Sequence, residues 1–110
     1  MKILRILLMG IFIYVGINTH VQASNQASVQ GQLISLKNNY PAPGLTVILV
    51  HQNLGRSRPA ISDSNGFFTF YDIPLMQAPY YLEVYWGYQL IHRSIIYVNT
   101  YWVNIPRLFI

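Results

Sequence analysis

The run Ile61-Ser62-Asp63-Ser64-Asn65-Gly66-Phe67-Phe68-Thr69-Phe70 limits the folds open to this chain more than any other stretch. Asn65-Gly66 is a strong hairpin signal, because both residue types tolerate the positive φ of a tight primed turn. Asp63 and Ser64 can hold such a turn by accepting hydrogen bonds from nearby backbone N–H groups. In the strand that follows, period-two alternation puts Phe68 and Phe70 on one face and Phe67, Thr69 and Tyr71 on the other. The expectation is a two-stranded aromatic unit around which the other strands assemble, with Asp63, Asn65 and Gly66 as its structural turn.

Upstream, residues 1–23 read as an export leader. Lys2 and Arg5 form a positive start, Ile6 to Ile17 is apolar, and Val21-Gln22-Ala23 fits a peptidase site, so the mature chain is expected to begin at Ser24. The apolar run is shorter than the roughly 20 residues a membrane span needs. Residues 24–110 then form one small domain, large enough to bury roughly 60–65% of its unfolded surface. An exported domain of this size without cysteine must rely on apolar packing rather than disulfides.

The mature part carries Lys37, Arg56, Arg58, Arg93 and Arg107 against Asp63, Asp72 and Glu83. Only Arg56-Ser57-Arg58 approaches a basic cluster, which argues against a nucleic-acid partner. Seven short strands alternate with turns. Val29 to Ile34 comes first, then Leu45 to His51 after the Pro41-Ala42-Pro43-Gly44 turn, and a short stretch from Ala60. The Phe67 strand, Tyr80 to Trp86, Gln89 to Val98 and Tyr101 to Ile105 follow, with Pro106 ending the last. No stretch carries a sustained helical period, so the expected fold is an all-β, seven-stranded antiparallel Greek-key sandwich. On the Tyr80 strand, alternation sends Tyr80, Leu82 and Val84 to one face and Tyr81, Glu83 and Tyr85 to the other. In the next strand either His92 or Arg93 could point inward.

Val29-x-Gly31-x-Leu33, Pro41-Ala42-Pro43-Gly44-Leu45-Thr46-Val47-Ile48-Leu49, Ser62-Asp63-Ser64-Asn65-Gly66-x-Phe68-x-Phe70-x-x-Ile73-Pro74 and Tyr80-x-Leu82-x-Val84 together resemble a carboxypeptidase regulatory-like domain of the transthyretin (prealbumin-like) type. The likeness spans about residues 28–105 and rests on scaffold positions. It implies a sandwich used as an appendage of exported or outer-membrane proteins, and it brings no catalytic residue with it.

The chemical inventory is correspondingly thin. His51 and His92 lack the spacing and acidic company of a metal site and are expected at strand ends or on the surface. Asp63-Ser64-Asn65-Gly66 has too few carboxylates for calcium. Related sandwich enzymes need residues not found here: positions 106–110 read Pro-Arg-Leu-Phe-Ile where hydroxyisourate hydrolases carry Tyr-Arg-Gly-Ser, and the closely spaced histidines of intradiol dioxygenases are missing. There is no nucleophile elbow and no paired carboxylate. The chain is therefore expected to be a non-catalytic module of the cell envelope without metal or cofactor. Its partner is expected to be an envelope or extracellular protein, with polysaccharide as the alternative. Tyr81, Tyr85, Trp86, Tyr88 and Trp102 form the candidate binding surface, since such side chains join apolar area to a polar tip.

Overall fold

The computed structural model describes residues 25–110; the leader and the Ser24 start lie outside the described residues. Among the described residues nine strands run in order: β1 (Gln26–Ile34), β2 (Thr46–His51), β3 (Gly55–Arg56), β4 (Ala60–Ile61), β5 (Phe67–Pro74), β6 (Tyr80–Trp86), β7 (Gln89–Ile96), β8 (Trp102–Asn104) and β9 (Leu108–Phe109). No helix occurs among the described residues. The strands form two sheets. The first has the order β5-β1-β8, with β9 also on β1; the second has the order β3-β2-β6-β7, with β4 also on β2. The chain passes between sheets at β1–β2, β4–β5, β5–β6 and β7–β8, an interleaving that makes a sandwich.

Two details differ from the expected seven antiparallel strands. First, β1 pairs antiparallel with β5 but parallel with β8 and β9. The segment after β7 crosses to the other sheet before joining β1, and a crossover of this kind permits parallel pairing that a hairpin cannot. Second, two further short strands, β3 and β9, are present. The Gln52–Ser57 loop folds back as β3, and Pro106 interrupts the last strand rather than ending it, because the chain rejoins β1 at Leu108. Proline withholds one ladder donor, and the ladder resumes beyond it.

Alternation explains the core. Val29 and Leu33 from β1, Phe68 and Phe70 from β5, Val47 and Leu49 from β2, and Leu82 and Val84 from β6 are all buried in one cluster with Tyr80 and Val98. Phe68 and Phe70 meet edge to face, their centroids 6.0 Å apart. Phe68 lies over β1 because its cross-strand partner is Gly31, where a Cβ would collide with the phenyl ring.

The organising turn differs from a primed hairpin. Gly66 has φ +79°, but Asn65 is not in the positive-φ region. The Gly66 amide donates to the Asp63 carbonyl, and the Asp63 amide donates to the Phe67 carbonyl, both at 2.9 Å. Asp63 Oδ1 accepts from the amides of Asn65 and Phe67. These bonds describe a turn closed by one left-handed glycine. The strands it joins lie in different sheets, so it is a corner of the sandwich and not the centre of a two-stranded unit. A Cβ on Gly66 would run into the Leu33 carbonyl oxygen, so the corner is pressed directly against β1.

Candidate functional site

The outer face of the second sheet carries a compact polar cluster. Register places Glu83 of β6 beside Ile48 of β2 and Arg93 of β7. Glu83 Oε2 is 3.5 Å from Arg93 Nε, and Oε1 is 3.8 Å from an Arg56 terminal nitrogen. The Tyr85 hydroxyl donates to Glu83 Oε1 at 2.7 Å. The Arg93 guanidinium lies 4.3 Å from the Tyr81 ring centroid, and that of Arg56 lies 5.9 Å from the Tyr85 centroid, both within cation–π range. Glu83 is only 8% exposed. It faces outward as alternation requires, but two tyrosines and two arginines cover it. A single carboxylate thus neutralises one of two guanidinium charges and fixes both rings.

β7 owes its part in this cluster to a bulge. Trp86 pairs with Gln89 and Tyr85 with Leu90, but Val84 pairs with His92, so Ile91 is the extra residue. The one-residue slip turns His92 inward, with its Nε2 buried, and aims Arg93 at Glu83. A bulge re-aims side chains in this way.

The five aromatics named from sequence divide among three places. Tyr81 and Tyr85 are half-buried within the cluster, whereas Trp86 and Tyr88 stand exposed at the β6–β7 tip. Trp102 belongs to the first sheet, paired with Ser28. Sequence reading missed Arg56, Glu83 and Arg93 as members of the site. The available signal was Glu83 set between Tyr81 and Tyr85 at two-residue spacing.

The histidines are not brought together. His51 ends β2 beside Gly55, while His92 pairs with Val84, several rungs away. His51 is not on the surface: it is 1% exposed, packed edge to face on Tyr80 at 4.9 Å, and its Nδ1 accepts from the Asn53 amide. Packing against the core Tyr80 ring draws it inward. No group of three or more acidic, histidine or cysteine side chains suited to a metal occurs among the described residues. The Tyr80 hydroxyl donates to the Pro74 carbonyl at 2.6 Å, and burial raises its pKa above the ordinary tyrosine value.

Two clefts open at the sandwich margins. One, of about 550 Å³, lies between the β3 side and the far end of β5, with Leu49, Phe70 and Tyr80 inside and Arg58 and Asp72 among its lining residues. Asp72 has φ +59° and sits in a bulge where Tyr71 and Asp72 together oppose Ser28. The other, about 490 Å³, lies between Leu36, Trp86, Ile91 and Ile110.

No family model matches the chain. Nor does any curated protein match by sequence. Solved structures do share its fold. The major pilin subunit of Bacillus cereus superposes with a TM-score of 0.54 at 19% identity, over 74% of this chain and 29% of the pilin. The 5-hydroxyisourate hydrolase of Klebsiella pneumoniae gives 0.53 at 15% identity, over 76% of this chain and 84% of the hydrolase. A 9R-lipoxygenase from Cyanothece gives 0.52 at 17%, over 78% of this chain and 16% of that enzyme. The chain thus corresponds to well under half of the pilin and the lipoxygenase. These similarities establish a prealbumin-like sandwich, an architecture that hosts unrelated tasks.

Proposed function

We propose that this chain is an exported, non-catalytic module of the carboxypeptidase regulatory-like type, a structural or accessory part of the cell envelope that binds another envelope protein. The observation that carries this reading is the β6–β7 hairpin. Its Glu83 and Arg93, with Arg56 of β3, hold the Tyr81 and Tyr85 rings in place, and beyond them Trp86 and Tyr88 project into solvent. Tyrosine, tryptophan and arginine dominate the energetics of protein interfaces, and rings held in advance lose little entropy on docking. The fold shared with a pilin subunit supports an envelope setting. The acid–base inventory supports a binding role: the carboxylate of the cluster is already occupied by two arginines and a tyrosine. A polysaccharide site on this same face is less well supported, because Tyr81 and Tyr85 already have arginines against them.

The test is quantitative capture from envelope extracts with the wild type and a Trp86→Ala/Tyr88→Ala variant. Both side chains are exposed, so the variant should keep the parental thermal midpoint. A partner enriched by the wild type should fall about tenfold or more with the variant, in line with the loss of two anchor residues. Recovery of the same proteins in equal amounts by both would overturn the reading.

A further inference from the structure

The outer face of the first sheet has a different chemistry. Register sets Ser28, Gln30 and Gln32 of β1 along its midline, with Trp102 and Asn104 of β8 beside Ser28 and Gln30. On the opposite side, Phe67 pairs with Gln32 and Thr69 with Gln30, and Tyr71 lies in the bulge facing Ser28. Tyr71 and Trp102 therefore flank Ser28 across three adjacent strands, their backbones roughly 10 Å apart, and Phe67 lies roughly 13 Å along β5 from Tyr71. Tyr71 is 71% exposed, Trp102 55% and Phe67 49%, and none of the three stacks on another ring among the described residues. The side chains of Ser28, Gln30, Thr69 and Asn104 make no hydrogen bond to a described residue; Gln32 reaches only the Asn65 carbonyl. The ionised groups beside the strip stand at its two ends: Asp72 is exposed in the bulge next to Tyr71, and Asp63 caps the Phe67 amide, while the middle, Gln30 with Thr69 and Asn104, has no ionised residue in register.

We propose that this face binds a chain of uncharged sugars. A pyranose ring presents C–H groups on its flat sides and hydroxyls around its rim. Exposed aromatic faces take the first, and amides that donate and accept together take the second. A strip of amide and hydroxyl groups, most without a partner among the described residues, set between aromatic rings and with carboxylates only at its ends, matches a neutral polyol. It offers nothing to an anion. A protein partner would more readily use the arginine-bearing face, since arginine is enriched in protein interfaces and depleted here. The strip is flat and open, suited to an extended polymer rather than to an enclosed small ligand. This site is independent of the protein-binding hairpin on the other sheet.

Affinity electrophoresis through gels holding xylan, mannan, mixed-linkage β-glucan or soluble starch tests the assignment, with titration of chitohexaose followed by tryptophan fluorescence. At least one neutral glycan should retard the protein, and retardation should persist from low to high salt because no ion pair is involved. Tyr71→Ala/Trp102→Ala should weaken binding at least tenfold with an unchanged thermal midpoint, and Gln30→Ala/Asn104→Ala should weaken it several-fold. Trp86→Ala/Tyr88→Ala should leave it intact. The assignment fails if no glycan in the panel binds, if the Tyr71/Trp102 variant binds as the wild type does, or if binding vanishes with salt. It fails equally if the Tyr71/Trp102 variant loses an envelope protein instead of a glycan.

Discussion

The two outer faces of the sandwich are built from similar residue types and end in opposite states. On the second sheet, polar groups satisfy one another: Glu83 takes two arginines and a tyrosine hydroxyl, and the arginines lie against the tyrosine rings. On the first sheet, amides and rings lie side by side with one side-chain hydrogen bond among the described residues, from Gln32 to the Asn65 carbonyl. The difference comes from one carboxylate. A buried acid collects donors and orders its surroundings, whereas a surface of neutral amides has no such centre and stays available to solvent or ligand. Self-satisfaction stabilises the protein; the lack of it leaves capacity for a partner.

That contrast can be broken from several directions, beginning with the core that both faces share. Phe70→Ala should cost about 3–5 kcal/mol, because Phe70 is buried between the sheets, and chemical denaturation would show it; a cost below about 1 kcal/mol would mean that inner and outer faces are exchanged. Gly66→Val should cost about 2–4 kcal/mol, adding left-handed backbone strain to a collision with the Leu33 carbonyl. Unchanged melting in that variant would remove the corner that fixes the two faces relative to each other.

Glu83→Gln bears on the faces themselves. It should cost about 1–2 kcal/mol, less than a fully buried pair, because both arginines are more than half exposed and screened. Gln30→Ala on the other face should stay within about 0.5 kcal/mol. Equal losses would erase the distinction between a satisfied and an unsatisfied surface. The smallest effect concerns alkali. The folded Tyr80 keeps its proton to a higher pH than the unfolded chain does. Stability from this source is complete below the unfolded tyrosine pKa and falls as pH rises from there through the raised folded value. Tyr80→Phe should therefore be less stable at neutral pH, having lost the bond to Pro74, yet decline less steeply under alkali. Parallel alkaline melting curves for the two proteins would contradict this.

Much of the sandwich was legible because its inward positions obey period two along β6 and along β5 as far as the bulge at Tyr71 and Asp72. Phe68, Phe70, Leu82 and Val84 are buried where alternation puts them. The site was less legible, and the reason is a bulge. A two-residue turn at Gly87-Tyr88 followed by perfect pairing would have set His92 opposite Glu83. The extra residue at Ile91 puts Arg93 there instead, and bulges leave no reliable mark in a sequence of β-branched residues. The turn departs from a primed hairpin for a related reason. Asn-Gly permits two left-handed residues, but with Asp63 capping two amides only one is needed. The parallel pairings of β8 and β9 depend on where a crossover lands, which no local pattern encodes.

Those parallel pairings also govern when the fold can form. β1 lies at the start of the described chain, yet Ser28 is completed by Trp102 and Leu33 by Leu108. During synthesis, β1 therefore has only β5 for a long interval, and the first sheet closes once β8 and β9 have emerged. Contacts so distant in sequence make folding slow relative to local hairpin formation, because a large loop must close before any stabilisation is gained. The β6–β7 hairpin alone is too small to be stable, so the open edge of β1 waits for partners that lie about 70 residues further along the chain.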